Sequence, residues 1–293
     1  MRAAAILGPG NISKYVDRFR RVGDAEWNEG PPASSNAADV VVVFGGDGTV
    51  HRHLAQLVKL GLPVLVVPCG SGNDFARALQ LRRVRDSLAA WRTFVADGNN
   101  LRTIDLGLIT EFGDSLAGGA PAPHKSNPHY FCCVAGAGID AEIARRCNAL
   151  PKWFRAHGGY AFCAPGEFLR FTPPSMKVSI ENEVAAKPTI LAAFANAPTY
   201  GGGMKIAPRA QLDDGKLDVC IVRAMGRAKL FCLFPTVYFG GHLGFREVEY
   251  SQTDTARLET ETPLDVYADG EYVCQTPVEL SVARNALRVV VPG

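Results

Sequence analysis

The segment from Val40 to Val50 constrains the fold more than any other part of this chain. Four consecutive valines are followed by Phe44 and by three glycines that surround Asp47. A continuous β-branched run of this kind predicts a buried parallel strand. The residues 51–60 carry apolar side chains at helical spacing and predict a helix. The glycines therefore lie at the carboxyl end of a strand and just before the amino terminus of a helix.

A glycine-rich junction between a strand and a helix is where open α/β sheets bind phosphate groups. Glycine lets backbone N–H groups approach phosphate oxygens, and Thr49 is placed to cap the helix and to offer a hydroxyl. A polyphosphate would repel Asp47 unless a divalent cation lay between them, so Asp47 favours Mg²⁺-nucleotide over bare phosphate. The alternative is an ordinary turn that exposes Asp47 to solvent.

A second glycine loop follows the first. The apolar run 62–67 ends in Pro68-Cys69-Gly70-Ser71-Gly72-Asn73-Asp74-Phe75-Ala76-Arg77-Ala78-Leu79. Here again glycines precede a predicted helix, with Asn73 or Asp74 placed to cap it. Two consecutive strand–loop–helix units joined by a right-handed crossover bring both loops to the same edge of one sheet. The two loops are therefore expected to face one ligand.

The composition limits the class of protein. A chain of 293 residues suits two domains, and a formal net charge of +2 gives little nonspecific attraction to nucleic acid. No apolar stretch is long enough for a membrane span, and no signal peptide is expected. The eight cysteines contain no C-x-x-C pair and fall mostly in apolar runs, which predicts free thiols in a reducing cytoplasm.

The pattern of elements changes near Leu101. Residues 1–100 alternate between strand and helix patterns, which predicts an α/β domain with a parallel sheet in three layers. Residues 101–293 predict a β-rich second domain. The strands expected there are Leu101–Ile109, Tyr130–Ala135, Met176–Val184, Thr189–Ala197, Leu217–Val222, Leu264–Ala268, Val278–Val282 and Leu287–Val291.

Three further segments stand out in the second half. Residues 113–128 are rich in Gly, Ala, Pro and Ser and predict a mobile loop. The segments 151–171 and 225–245 combine aromatic with basic residues, which suits a membrane interface or an acyl-chain cleft. Helices that pack on a sheet have the same composition, and core packing is favoured over lipid contact by about two to one on sequence alone.

These motifs resemble the diacylglycerol kinase catalytic-domain family, which includes bacterial diacylglycerol kinases and the sphingosine and ceramide kinases. Gly-Gly-Asp-Gly-Thr is shared with NAD kinases and, loosely, with phosphofructokinases, whereas the Pro-x-Gly-Ser-x-Asn-Asp-Phe-Ala element is far more restrictive and resembles the lipid kinase branch. Further matches are Ile104-Asp105-Leu106-Gly107, Asn196 with Gly201–Met204, Leu212–Asp218 and Asp269-Gly270-Glu271, so the resemblance covers nearly the whole chain. One departure is Arg52, where many members carry Glu.

The resemblance implies a NAD kinase-like fold, in which an α/β nucleotide domain with a three-layer parallel sheet precedes a C-terminal β-sandwich. It implies ATP and Mg²⁺ as cofactors, with the acceptor hydroxyl presented from the cleft against the second domain. The residues implied to hold the nucleotide are Gly45, Gly46, Asp47, Gly48, Thr49, Val50, His51, Gly70, Ser71, Asn73 and Asp74.

The resemblance also implies the catalytic and metal-binding roles. Glu271 is favoured as the general base with Asp269 in support, although the two roles could be exchanged and Asp47 is the next candidate. Asp47 and Asp105 are implied to organise a network of Mg²⁺ and water. A second, structural Mg²⁺ is implied at Asp214 with the carbonyl oxygens of Gln211 and Lys216, against the alternative of a plain Asp-Asp-Gly turn.

The function implied by the resemblance is transfer of the γ-phosphoryl group of ATP to the hydroxyl of a membrane lipid such as diacylglycerol. The alternatives are a ceramide or sphingoid-base kinase, a NAD kinase-like enzyme, and a noncatalytic lipid-binding regulator. The expected location is cytoplasmic with peripheral membrane contact and without nucleic-acid binding. Whether the protein forms a homodimer stays an open question.

Overall fold

The computed structural model describes residues 1–10, 12–112, 128–149, 159–180 and 185–293, with the side chains of 148–149 and 159–163 left out. The chain divides into two compact units. The first contains Met1–Leu106 together with Arg284–Gly293, and the second contains Gly107–Ala283. The predicted mobile loop at 113–128 lies outside the described residues except for Pro128.

The first unit is built on a parallel sheet. Its strands are β1 (Arg2–Leu7), β2 (Glu26–Glu29), β3 (Val40–Gly45), β4 (Val64–Pro68) and the end of β15 (Val278–Val290). They lie in the order β2-β1-β3-β4-β15 and every pair is parallel. Every residue of β3 and β4 is buried, as expected for β-branched runs that pack on both faces.

Four helices belong to the first unit: α1 (Ser13–Arg20), α2 (Asp47–Leu60), α3 (Asp74–Ala78) and α4 (Val84–Ala96). Helix α2 ends at Gly61, whose φ of 63° lies in the left-handed region that favours glycine. Helices α1 and α4 meet through the rings of Phe19 and Trp91, and Phe19 also contacts Phe44 edge-on from β3. Aromatic packing therefore joins these two helices to the sheet.

The second unit is a β-sandwich. Its strands are β5 (Leu101–Glu111, which begins in the first unit), β6 (His129–Phe131), β7 (Val134–Gly138), β8 (Ser175–Ser179), β9 (Lys187–Ala195), β10 (Leu217–Arg223), β11 (Val248–Thr253), β12 (Thr255–Thr260), β13 (Asp265–Ala268), β14 (Glu271–Gln275) and the first half of β15. One antiparallel sheet has the order β14-β13-β7-β9-β10-β11. Antiparallel pairs also form in β8-β12-β15 and β5-β6. Phe131, Phe194 and Leu258 are among the side chains buried in the core of this unit.

Three helices and two 3₁₀ turns complete the described part of the second unit. They are α5 (Ile139–Ala149), α6 (Gly159–Arg170), α7 (Arg227–Thr236) and the turns Val237–Phe239 and Gly241–Gly244. Helix α6 packs against both α5 and α7. Within the described ranges, no helix is both long and apolar enough to cross a membrane.

The predicted fold class is confirmed: a parallel-sheet α/β unit and a β-sandwich are both present. The units differ from the predicted division at residue 100, because the chain crosses within β5 and residues 284–293 return to the first unit. The strands predicted at 278–282 and 287–291 are one strand, β15, which continues through Asn285. The predicted strand 176–184 ends at Ser179, and residues 181–184 lie outside the described set.

Candidate functional site

The two glycine loops of the first unit lie against each other. A Cβ atom on Gly46 would be 2.8 Å from Cα of Gly70, and a Cβ on Gly70 would be 2.5 Å from Cα of Gly46. Real Cβ atoms do not approach that closely, so both positions require glycine. The loops after β3 and β4 are therefore brought together at the carboxyl ends of adjacent parallel strands, which is where such sheets bind phosphates.

Asp47 joins the first loop to the helix that follows the second. Its two carboxylate oxygens accept the backbone N–H groups of Asp74 and Phe75, each at 3.0 Å. Those N–H groups are at the start of α3, where a helix leaves its first donors without partners. Asp47, which lies 27 residues earlier in the chain, therefore caps α3.

The predicted cap by Asn73 or Asp74 is wrong. Asn73 occupies the N-cap position with a φ of 55°, but its side chain makes no capping bond. It instead accepts the N–H of Gly70 at 2.9 Å and donates to the carbonyl of Gly70 at 2.7 Å. Asp74 pairs with Arg77 at 2.5 Å, and Arg77 also donates to the carbonyl of Gly72. Both predicted nucleotide-binding residues thus hold the second loop in shape.

The first turn of α2 also differs from the prediction. Thr49 does not cap the helix, because the N-cap is Gly46 and no side chain bonds there. The Thr49 hydroxyl packs towards Gly8, where a Cβ would be 2.7 Å from Oγ1. Val50 is buried, so only its backbone can face a ligand, whereas Gly48 and His51 are half-buried. Arg52, at the position where related enzymes often carry Glu, donates to the carbonyl of Gly48 in its own helix.

Asp105, the other predicted acid of the first unit, lies on β5 and not on a glycine loop. Asp105 is buried on β5, and its Oδ1 accepts the N–H of Asn285 at 2.7 Å. This bond joins β5 to β15 inside the first unit. Ser71 is exposed on the second loop. Burial raises the pKa of the neighbouring Cys69 thiol to about 11, which keeps it protonated and unsuited as a nucleophile.

The Asp269-Gly270-Glu271 turn lies between β13 and β14 in the second unit. Asp269 has a φ of 52°, and its carboxylate accepts the N–H groups of Cys132, Cys133 and Val134 at 2.8, 2.8 and 3.3 Å. These bonds hold the segment that enters β7. Glu271 is exposed at the start of β14.

An apolar pocket, which the sequence did not reveal, lies within the second unit. Phe168, Leu230 and Phe234 are part of its lining, with Asp140 and His242 as titratable groups. Burial raises the pKa of the Asp140 carboxyl to about 7, although the N–H of Ala141 bonds to it. The sequence signal was an acid two residues after the small-residue strand β7, Val134–Gly138.

His242 is fully buried in the same pocket. Its Nε2 lies 3.0 Å from the carbonyl of Ile206, so Nε2 carries the proton and donates. Burial lowers the pKa of the imidazole, which favours its neutral form. The pocket is therefore apolar with three polar side chains, Asp140, Tyr200 and His242, an arrangement typical of sites for small hydrophobic ligands.

At the predicted structural Mg²⁺ site, the described residues form a turn. Asp214 accepts the N–H of Lys216 at 3.1 Å, the bond of an ordinary Asx turn, and Gln211 is exposed. Within the described part of the chain, no three His, Cys, Asp or Glu side chains gather as a metal site. The predicted site combines one carboxylate with two backbone carbonyl oxygens, which is a different kind of ligand set, so it stays a prediction.

Two family models match the chain. The diacylglycerol kinase catalytic domain matches residues 30–109, and the YegS C-terminal NAD kinase beta sandwich-like domain matches residues 133–291. The second match covers more than half of the chain. Together the two models cover both glycine loops, Asp105, the Asp269-Gly270-Glu271 turn and the apolar pocket.

Individual relatives agree with the family models. A diacylglycerol kinase of Mycobacterium tuberculosis is 33% identical over 262 residues, which are 89% of this chain and 79% of the relative. The crystal structure of a diacylglycerol kinase from Bacillus anthracis has a TM-score of 0.65 at 16% identity and covers 99% of this chain and 96% of that one. A NAD kinase from Archaeoglobus fulgidus in complex with ATP has a TM-score of 0.51 at 14% identity, with 100% and 94% covered. At such identities the solved structures show the fold alone.

Proposed function

Because the chain belongs to the diacylglycerol kinase family and is a lipid kinase, we propose that it transfers the γ-phosphoryl group of ATP to the hydroxyl of a membrane lipid such as diacylglycerol. The observation that carries the nucleotide half of this proposal is the contact between Gly46 and Gly70, which leaves no room for a side chain. Backbone N–H groups on both loops can then approach the phosphates of ATP directly.

The loops supply positioning and charge neutralisation, which are the main requirements of phosphoryl transfer. Asp47 fixes the second loop relative to the first through its bonds to Asp74 and Phe75. Both of its oxygens already accept N–H groups, so its role in the proposal is to order the loops and to orient water. Mg²⁺ bound with the nucleotide would supply neutralisation of phosphate charge, and Asp47 and Asp105 are the carboxylates of the first unit that would hold it through water.

The acceptor half of the proposal is supported by the apolar pocket of the second unit. None of its described lining residues is a lysine or arginine. A phosphorylated acceptor such as NAD would lose its hydration there without gaining a cationic partner, which is costly. An uncharged acyl chain loses nothing and gains from burial. The pocket therefore favours a lipid over a soluble nucleotide as the acceptor.

Glu271 is the proposed general base. A base must come within hydrogen-bond reach of the acceptor hydroxyl and must have an oxygen free to take its proton. Asp269 accepts three backbone N–H groups, so exchanging the two roles is disfavoured. In the proposed step, Glu271 takes the hydroxyl proton, the acceptor oxygen bonds to the γ-phosphorus, and the bond from that phosphorus to the bridging oxygen breaks to release ADP.

The proposal is tested by incubating the purified protein with labelled ATP and, separately, diacylglycerol, ceramide, a sphingoid base and NAD. Labelled phosphatidic acid is the expected product. Preferential labelling of ceramide or the sphingoid base would retain lipid kinase chemistry with a different acceptor. Phosphorylation of NAD without any lipid product would overturn the proposal, and the absence of every product would indicate a noncatalytic lipid-binding protein.

A further inference from the structure

Helix α7 is apolar on the face that points into the second unit. Leu230, Leu233 and Phe234 of this helix line the apolar pocket. Charged residues occur only in its first turn, at Arg227 and Lys229. An ordinary surface helix would place polar side chains on the face opposite its buried one.

The opposite face of α7 is also apolar. Its exposed residues after the first turn carry no charge: Phe231, Cys232 and Pro235. A helix that is apolar all round needs an apolar environment on its outer side as well. Water is therefore a poor environment for the outer face of α7.

Neighbouring elements extend this face into a patch. Leu169 at the end of α6 is 54% exposed, Phe231 is 38% exposed, and Phe239 in the 3₁₀ turn after α7 is 83% exposed. These three residues are called the outer patch below. The elements that carry them are packed together: the ring of Phe168 lies 5.3 Å from that of Phe231.

Positive charge accompanies the outer patch. Arg170 follows Leu169 directly, and Arg227 lies one helical turn before Phe231 on the same side of α7. Neither arginine forms an ion pair with a carboxylate in the described ranges. Apolar and aromatic side chains beside arginines are the combination that binds the interface of a bilayer containing anionic lipids.

We infer that the outer patch docks the protein on the surface of a bilayer that contains anionic phospholipid. The inference deepens the proposed function and rests on it. Docking would serve catalysis because the inner face of the same helix lines the proposed acceptor pocket. A lipid acceptor would then be taken from the bilayer on which α7 lies. A second copy of the chain is the competing occupant of the patch.

Vesicle sedimentation without ATP tests the inference independently of catalysis. The probes are phosphatidylcholine vesicles with and without phosphatidylglycerol. We expect the wild type to bind the anionic vesicles, and Phe239→Asp and Phe231→Asp to bind them at least about ten-fold more weakly. Tyr272→Asp is the matched control, because Tyr272 is also 54% exposed but lies on the β13–β14 hairpin; it should bind as the wild type does.

Two further measurements make the result decisive. An environment-sensitive fluorophore on the exposed Cys232 should shift to the blue with anionic vesicles, and Cys232→Ser should abolish that signal. Phosphorylation of a short-chain, monomerically dissolved diacylglycerol should be unchanged in Phe239→Asp, since the pocket is intact. Three outcomes would overturn the inference. The wild type could fail to bind the vesicles, or all variants could bind them equally. The protein could also be a dimer that Phe239→Asp converts to a monomer. Vesicle binding without any kinase activity would instead overturn the proposed function.

Discussion

Asp47 in the first unit and Asp269 in the second make the same kind of contact in unrelated surroundings. Each carboxylate accepts consecutive backbone N–H groups from a segment far away in the chain, residues 74–75 for Asp47 and 132–134 for Asp269. Asp47 lies in a glycine loop that is open to a ligand, whereas Asp269 lies in a tight turn beside the exposed Glu271. Both acids belong to motifs that look catalytic, and both hold distant backbone through hydrogen bonds.

The difference between the two regions is in what stands next to each acid. Beside Asp47 are backbone N–H groups that can meet phosphate, so ordering the loops is itself part of the proposed chemistry. Beside Asp269 is a second carboxylate, Glu271, without a described partner that would occupy its oxygens. An acid that holds backbone is thus expected to affect stability, and a neighbouring exposed acid is expected to affect turnover. The first three substitutions below test this division, and a fourth tests the buried acid of the pocket.

Glu271→Gln should have the largest effect on turnover. Removing the proposed base should lower kcat by about 10²–10⁴, because general base catalysis contributes that much. The melting temperature should not change, since the side chain is exposed. Steady-state kinetics and thermal melting measure the two effects. Glu261→Gln is the control, because Glu261 is an exposed acid in the preceding turn. Full activity in Glu271→Gln would assign the base to another residue.

Asp47→Asn should lower both turnover and stability. We expect a loss on the order of 10² in kcat from disordered loops and about 1–2 kcal/mol in the free energy of unfolding, because an amide can accept only one of the two N–H groups at the start of α3. Urea denaturation and kinetics with ATP separate the effects. Asp86→Asn removes a capping carboxylate from α4 in the same unit and should alter stability alone. Unchanged melting in Asp47→Asn would show that the cap contributes nothing.

Asp269→Asn should act mainly on stability. The amide keeps the tolerance of Asp269 for positive φ but cannot accept three N–H groups, so about 2–3 kcal/mol of unfolding free energy should be lost. Asp265→Asn on the same hairpin, where one oxygen accepts a glutamine amide, should lose far less. Chemical denaturation gives both values. If Asp269→Asn were as stable as the wild type but inactive, the Asp269 side chain would take part in the reaction itself. The division between the two kinds of acid would then fail.

Asp140→Asn should change stability by an amount that depends on pH. Burial raises the pKa of Asp140 from 3.8 to about 7. Between those values the unfolded chain has released the proton that the folded chain retains, so the wild type loses stability as pH rises from about 4 to about 7. The gain in stability of Asp140→Asn should therefore be smallest near pH 4 and largest above pH 7.

Other groups around Asp140 do not alter this expectation. His242 and Tyr200 line the same pocket and are present in both proteins, so their titration cancels in the difference between the two melting curves. Thermal melts across the pH range measure that difference. A gain that is independent of pH would contradict the assigned ionisation of Asp140.

Local patterns in the sequence predicted much of this molecule. The β-branched run before Gly45 and the run before Pro68 are buried parallel strands, as predicted, because their residue types suit only that environment. The glycines at 46 and 70 were predicted to lie together, and the requirement for close approach explains them. Strand alternation also revealed the β-rich second unit.

Contacts between distant residues could not be predicted in the same way. Nothing near Asp47 indicates that its partners are the N–H groups of residues 74 and 75, so capping was assigned to Asn73 or Asp74 instead. Helix α5 falls in a region expected to be mostly strands, because short apolar segments lack a clear period. Helices α6 and α7 lie in the segments 151–171 and 225–245, where packing on the sheet was favoured. Strands β11, β12 and β14 were missed for the opposite reason, since short exposed strands with polar residues such as 248–253 carry a weak signal.

The return of residues 284–293 to the first unit has a consequence for how the protein is made. The β-sandwich is encoded entirely between two parts of the unit that carries the glycine loops. On the ribosome, β4 therefore emerges long before its neighbour Val289, and Asp105 long before the N–H of Asn285. One edge of the nascent parallel sheet stays unpaired while the whole sandwich is synthesised and folds, and unpaired edges invite aggregation. A fragment that ends at residue 106 would keep that open edge permanently, so the smallest separately expressed nucleotide unit would have to carry residues 284–293 grafted after Leu106.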